Sequence, residues 1–172
     1  SIPFKEIYSS LTGGQASKST WEYIIINYRL PKAITAVLVG MGLSTSGLLM
    51  QTLFRNPLAG PDVLGLSSGA SLGVAFVILS AGLLPPFLST LLLSPYGVVL
   101  ASTLGSTVVL LLVLLISQRL RDTMAILIVG LMFGSFTSAI VGVLTYFSSA
   151  EQLQKFTFWS LGNLGNLSWT SI

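Results

Sequence analysis

Long stretches without a charged side chain dominate the sequence. Residues 33–54, 63–118 and 123–150 contain no Asp, Glu, Lys or Arg, and they are rich in Leu, Val, Ile and Gly. A membrane-spanning helix needs about 20 mostly apolar residues, each rising 1.5 Å. The first and third stretches therefore suit one span each, whereas the middle stretch is too long for a single span.

Helix-breaking residues divide the middle stretch. Two adjacent prolines, Pro85 and Pro86, cannot continue a helix, and the sequence Ser94-Pro95-Tyr96-Gly97 is typical of a turn. The pattern thus predicts an all-α membrane protein with about four transmembrane helices. These predicted spans cover residues 33–54, 66–83, 98–117 and 123–146.

The composition supports a membrane protein. Charged residues make up 8% of the 172 residues, against about 25% in an average soluble domain, and the mean hydropathy is +0.87. Five acids and eight bases cannot cover the surface of a soluble domain of this size. The net charge of +3 is spread along the chain, so no basic stripe indicates a nucleic-acid partner.

The absence of cysteine and histidine excludes several kinds of chemistry. Disulfides, thiolate nucleophiles, Cys or His zinc sites and imidazole acid–base catalysis all need these residues. The sequence therefore predicts no catalytic residue, no metal site and no cofactor. Residues 13–19 also lack the GxxxxGK[ST] pattern, so the chain is not expected to hydrolyse ATP itself.

Small residues recur at four-residue spacing along the predicted spans. Such stripes let helix backbones approach closely in lipid, where hydrophobicity does not drive helices together. Several packed helices of this kind favour a channel or transporter over a single anchor. The candidate packing residues are Gly40, Gly47, Gly65, Gly69, Gly73, Gly130 and Gly134.

The segment from Gly60 to Ala70 is rich in Gly, Ser and Pro. Three alternatives fit this composition. It is a re-entrant element lining a cavity, an ordinary loop and helix start, or an anion-binding nest of backbone N–H groups.

Five segments in order carry a family resemblance: YRLPK at 28–32, Gly40, SGLLMQ at 46–51, RNPLAGP at 55–61 and LGLSSGA at 64–70. Together they resemble the FecCD family, the permease subunits of bacterial ABC importers for iron–siderophores, haem and cobalamin. Lys32 stands where the family often has arginine, which keeps the charge but loses the bidentate fork.

The resemblance implies a topology and a set of partners. Family members have about ten spans, so this chain would be a fragment holding spans two to five of a multi-pass protein of the bacterial inner membrane. Residues 1–28 and a segment at 150–168 with a short helix would be periplasmic. The implied partners are a second copy of the permease, cytoplasmic ATPase subunits, a periplasmic substrate-binding protein and membrane lipid.

The distribution of basic residues alone gives the opposite orientation. Five bases lie on the side of the chain ends and three on the other side, which places the ends in the cytoplasm. We follow the resemblance, because about forty matched residues outweigh a difference of two charges. Residues 55–62 and 118–122 are then expected to be cytoplasmic.

The resemblance also assigns roles to individual residues. Arg29 and Lys32 would dock the binding protein, Thr123 and Met124 would lie at a cytoplasmic gate, and Ser148 and Ser149 would lie at a periplasmic gate. The implied function is import by alternating access, with ATP hydrolysed by a separate subunit. The alternatives are an ion-coupled secondary transporter, disfavoured because no acid lies within a predicted span, and a membrane anchor of a larger complex. The sequence does not identify the substrate.

Overall fold

A computed structural model describes residues 2–14, 17–120, 122–162, Leu164 and Trp169. These residues form helices joined by short turns, and no strand occurs among them. The chain divides into two compact units, which we call the first unit (residues 1–44 and 163–172) and the second unit (residues 45–162). The predicted all-α fold is confirmed.

The first unit contains helix α1, Phe4–Leu11, and the start of a long helix. This long helix comprises α2, Ser19–Ile24, a π-helical turn, Ile25–Arg29, and α3, Leu30–Phe54. It begins 14 residues before the predicted start of the first span at residue 33. Its 36 residues measure about 54 Å, more than the roughly 30 Å of a hydrocarbon core, so one part of it extends beyond the core.

The π-helical turn ends two residues before Pro31. Proline in a helix interior clashes with the carbonyl four residues earlier and donates no hydrogen bond. Here the Leu30 N–H donates to the Ile25 carbonyl, five residues back, which widens the turn just ahead of the proline. The long helix therefore continues through Pro31, whose side chain is fully buried.

The second unit holds the remaining helices. After the 3₁₀ turn Pro61–Leu64 the chain forms α4, a second 3₁₀ turn, α5, α6, α7 and α8. Their ranges are Leu66–Leu79 for α4, Ala81–Leu83 for the second turn, Pro86–Leu92 for α5, Pro95–Ser117 for α6, Thr123–Tyr146 for α7 and Ala150–Ser160 for α8. The break predicted around the two prolines thus contains a short helix, α5, which the sequence analysis did not predict.

Three of the described helices are long and apolar enough to cross a membrane, namely Ser19–Phe54, Pro95–Ser117 and Thr123–Tyr146. Helix α4 is shorter than the predicted span 66–83. Its 14 residues measure about 21 Å. It begins after Gly65, which has a left-handed backbone, and a 3₁₀ turn replaces its last predicted residues ahead of Pro85 and Pro86.

Helix α4 lies at the centre of the second unit. Val74 and Ala75 of α4 have no exposed surface. They form a cluster with Ile78 and Leu79, also of α4, and with Phe156 of α8. A second cluster joins the end of α3 and the following turns to α6 and α7. It contains Phe54, Ala59, Leu64, Val109, Val113 and Leu127. The two clusters hold α6, α7 and α8 around α4.

Candidate functional site

Glycines bring α4 and α6 into backbone contact. A Cβ added to Gly69 would lie 2.7 Å from the Gly105 carbonyl oxygen, and one added to Gly73 would lie 2.1 Å from the Ala101 carbonyl oxygen. A Cβ on Gly105 would lie 2.1 Å from the Gly69 carbonyl oxygen. Because real Cβ atoms do not approach so closely, these positions require glycine at the present helix separation.

Helix α7 approaches α4 on a second surface, at the turn that precedes α4. A Cβ on Gly65 would lie 2.9 Å from the Gly130 carbonyl oxygen, and one on Gly130 would lie 2.4 Å from the Val63 carbonyl oxygen. Gly65 also has a φ of 76°, which side chains with a Cβ adopt only at a cost. Gly134 has more room, since its Cβ would lie 3.4 Å from the Ser68 hydroxyl.

The other two candidate packing glycines, Gly40 and Gly47, lie on α3 and have open surroundings. A Cβ at either position would meet no described atom of another element within 4 Å. The structure thus brings Gly65, Gly69, Gly73, Gly130 and Gly134 into the second unit's core and leaves Gly40 and Gly47 outside it. A packing role for these two stays a prediction.

Gly105 and Ser106 of α6 were missed as contact residues of α4. The Ser106 hydroxyl donates to the Leu66 carbonyl at 3.1 Å, and Gly105 faces Gly69. The four-residue spacing of small residues on α6 was visible in the sequence. Spacing alone does not show which helix a stripe faces.

The two predicted docking residues are exposed and close in sequence on the long helix. Arg29 ends the π-helical turn, and Lys32 lies in the first turn of α3. Neither forms an ion pair with a carboxylate in the described part of the chain. Both cations are therefore available to an acidic partner, and docking stays a prediction.

The predicted cytoplasmic gate residues lie in the first turn of α7. Asp122 caps this helix, since its side-chain oxygen accepts the Met124 N–H at 3.0 Å. Thr123 is the first residue of the helix, and the side chain of Met124 is exposed. The cap fixes where α7 begins, and the gate role remains a prediction.

The predicted periplasmic gate residues lie between α7 and α8, where they make local hydrogen bonds. The Ser148 hydroxyl donates to the Leu144 carbonyl at 2.6 Å. Ser149 and Gln152 form a reciprocal capping box. The Ser149 N–H donates to Gln152 Oε1 at 3.0 Å, and the Gln152 N–H donates to the Ser149 hydroxyl at 3.4 Å. The S-x-x-Q spacing was a signal for this cap that the sequence analysis missed.

A cleft of about 620 Å³ adjoins this corner, and Ser148, Ser149 and Gln152 are among its lining residues. The three side chains thus combine a structural role at the start of α8 with access to open space. A gate role for Ser148 and Ser149 stays a prediction.

Removing the capping box should loosen α8 without unfolding the second unit. We expect Ser149→Ala to cost about 1 kcal/mol of local helix stability, because the Gln152 N–H at the helix start loses the hydroxyl that accepts it. Hydrogen exchange of the amides in 150–156 should accelerate, while exchange in α6 should not change. Ser149→Thr keeps a hydroxyl and serves as the matched control. Equal exchange in the alanine and threonine variants would contradict the assignment.

Serine hydroxyls line a second, smaller cleft between α4, α7 and α8. Its volume is about 300 Å³, and its lining residues are Ser67, Ser68, Ser71, Ser138, Val141, Phe156 and Ser160. The Ser67 hydroxyl also donates to the Asp62 carboxylate. Residues 61–64 form a 3₁₀ turn, α4 begins at Leu66, and the hydroxyls of Ser67 and Ser68 line this cleft.

The family model described as the FecCD transport family matches residues 1–172. This chain belongs to the FecCD transport family. The match covers all the residues discussed above, including the glycines around α4 and both pairs of predicted gate residues.

Two curated relatives agree with this assignment. The chain is 37% identical over 173 residues to the hemin transport system permease protein HmuU of Yersinia pestis. It is 32% identical over 160 residues to the vitamin B12 import system permease protein BtuC of Escherichia coli. The alignments cover 100% and 92% of this chain but only 49% and 46% of the relatives, so the chain spans about half their length.

A solved structure shares the fold. An inward-facing conformation of a metal-chelate type ABC transporter superposes with a TM-score of 0.77 at 30% identity. The similarity covers 90% of this chain and 46% of that chain. The helices described above therefore form part of an ABC-transporter permease fold, as the resemblance in the sequence implied.

Proposed function

We propose that this FecCD-family chain is about half of the permease subunit of a bacterial ABC importer. The complete permease would move an iron chelate, haem or cobalamin across the inner membrane by alternating access. The observation that carries this proposal is the family match over the whole chain, supported by relatives that transport hemin and vitamin B12. Which of these substrates is carried would depend on the complete importer and not on this chain alone.

The surroundings of the acidic residues support ATP-driven transport over ion coupling. In the described part of the chain, Glu6 bonds Ser17, Asp62 bonds Ser67, Asp122 caps α7 and Glu151 pairs with Lys155. Glu22 lies in the first turn of α2. None lies in the middle of a candidate span, where a carboxylate that binds or relays a coupling ion is expected. The chemical energy would then come from a partner subunit.

The packing around α4 suggests which part of the permease would move as one body. The backbones approach closely at Gly69 and Gly73, which join α4 to α6, and at Gly130, which joins α7 to the turn before α4. Packed interfaces of this kind have discrete arrangements and do not deform continuously. Alternating access would then displace this group as a unit and alter contacts at its ends, where the predicted gate residues lie.

The proposed partners give a direct test. A tagged full-length permease should co-purify with a separately encoded ATPase subunit, and the complex should hydrolyse ATP. The control is a variant of the ATPase subunit whose phosphate-binding lysine is replaced, which should assemble but not hydrolyse ATP. A permease that transports its substrate with no nucleotide-hydrolysing partner would overturn the proposal.

The proposed orientation places the start of the chain in the periplasm. In a full-length protein made otherwise cysteine-free, Lys18→Cys should react with a membrane-impermeant thiol reagent in intact spheroplasts, and Gln118→Cys should react only after permeabilisation. Both positions are exposed, and the chain itself contains no cysteine. Labelling of Gln118→Cys but not of Lys18→Cys in intact spheroplasts would favour the orientation given by the count of basic residues.

A further inference from the structure

Helix α1 exposes its large apolar side chains and buries a serine. Phe4, Tyr8 and Leu11 are 81%, 64% and 52% exposed, and their spacing places them on one face of the helix. Ser10 is 7% exposed, and its hydroxyl donates to the Glu6 carbonyl at 2.8 Å. A helix packed onto a water-soluble body has the reverse arrangement, with its apolar face turned inward. We refer to Phe4, Tyr8 and Leu11 as the α1 stripe.

Hydrogen bonds connect the polar side of α1 to the start of α2. The Glu6 carboxylate accepts the Ser17 N–H at 2.8 Å and the Ser17 hydroxyl at 2.5 Å. These bonds lower the pKa of Glu6 below its ordinary value of 4.5, so the charged contact is present at neutral pH and is lost only as the pH falls through that lowered pKa. Glu6, the one acid of α1, is thus hydrogen-bonded within the protein. Lys5 is exposed and lies beside the α1 stripe.

Helix α1 contacts the part of the long helix that is expected to cross the headgroup layer. Lys32 is the last charge before the uncharged residues 33–54, so it marks one edge of the hydrocarbon core. Helix α1 contacts α2 and the π-helical turn, Ile25–Arg29. That turn lies about 5–10 Å beyond Lys32 at 1.5 Å per residue. The headgroup layer on each side of a bilayer is of about this thickness.

Aromatic side chains mark the same level. Tyr23 and Tyr28 are exposed and form an edge-to-face pair with ring centroids 6.0 Å apart. The Trp169 indole N–H donates to the Ile26 carbonyl at 3.0 Å, and its side chain is partly exposed. Tyrosine and tryptophan concentrate at the boundary between water and membrane, because their rings are apolar and their polar atoms remain hydrated.

We propose that α1 is an interfacial helix that lies in the membrane surface and inserts the α1 stripe between lipid headgroups. The partner is the phospholipid bilayer. An apolar face of aromatic and aliphatic side chains, with a lysine beside it and the acid on the opposite side, is the pattern of a helix that lies in the membrane interface. The helix would then fix the height of the first span and of Arg29 in the membrane. The proposal requires α3 to cross the membrane but does not depend on what the permease transports.

Spin labels report this environment directly. Full-length permease, otherwise cysteine-free, would carry a single nitroxide at Tyr8→Cys or Leu11→Cys in liposomes of phosphatidylcholine and phosphatidylglycerol. Oxygen concentrates in lipid and a nickel chelate remains in water. We therefore expect the ratio of collision rates, oxygen over nickel, to be several-fold higher at positions 8 and 11 than at Lys18→Cys, an exposed position outside the stripe.

Two outcomes would overturn the proposal. A ratio at positions 8 and 11 equal to that at position 18 would mean that the α1 stripe faces water. Low collision rates with both reagents would mean that protein covers the stripe, either the rest of the permease or a second copy. Because no transport is measured, a permease with another substrate or energy source would give the same result.

Discussion

Replacing Gly69 by leucine should prevent the permease from assembling in a folded, detergent-stable form. The added side chain would begin 2.7 Å from the Gly105 carbonyl oxygen and from the Val109 side chain, so it must force α4 and α6 apart. Overpacking typically costs about 1–3 kcal/mol, and a leucine placed against a backbone belongs at the upper end or beyond. The yield of monodisperse protein after gel filtration in detergent is the measurement.

Smaller substitutions make this prediction sharper. Gly73→Ala adds a single methyl group, 2.1 Å from the Ala101 carbonyl oxygen, and should also lower the yield or the unfolding temperature. Gly142→Ala is the matched control, because a Cβ there meets no described atom of another element within 4 Å. In a helix interior, alanine is favoured over glycine by about 1 kcal/mol, so the control should be neutral or stabilising. Equal behaviour of Gly73→Ala and Gly142→Ala would show that the α4–α6 contact is looser than described.

Reversing both charges at the predicted docking site should abolish most of the substrate uptake by the complete importer. Arg29 and Lys32 are exposed and unpaired within the described residues, so Arg29→Glu with Lys32→Glu should leave the fold unchanged. An acidic binding-protein surface would then meet two like charges, which costs up to several kcal/mol and slows encounter. Uptake and binding-protein affinity should both fall, while basal ATP hydrolysis by the assembled complex should persist.

A compensating reversal provides the control for docking. Changing the partner acids of the binding protein to lysine should restore part of the uptake of the double variant. The affinity of the unmodified pair should also fall as salt rises, because exposed charges are screened over about 8 Å at physiological ionic strength. An affinity that the double reversal leaves unchanged would assign Arg29 and Lys32 to the membrane interface and not to docking.

The helical membrane fold was predictable because lipid imposes a strong constraint on sequence. Uncharged stretches of sufficient length marked the three long apolar helices, and Pro85 and Pro86 marked the break between α4 and α6. The shorter α4 was not predicted, since the left-handed backbone at Gly65 and the 3₁₀ turn Ala81–Leu83 depend on local packing. Hydropathy alone counts these residues as part of a continuous span.

The site was only partly predictable because spacing gives a face but not its partner. Glycine spacing indicated packing at Gly69 and Gly73, but it did not identify Gly105 and Ala101 as the opposing residues. The candidate packing residues also included Gly40 and Gly47, where an added Cβ would meet no described atom of another element within 4 Å. Likewise, the sequence alone did not show that α1 contacts the long helix through its polar side and leaves the α1 stripe exposed.

The measurement that tests the central claim most directly is uptake into proteoliposomes. Full-length permease and its ATPase would be reconstituted, with the cognate binding protein and its substrate outside and nucleotide inside. We expect accumulation of substrate that requires both ATP and the binding protein, and that persists when ionophores remove every ion gradient. Accumulation driven by an ion gradient in the absence of ATP would contradict the assignment of this chain to an ABC importer.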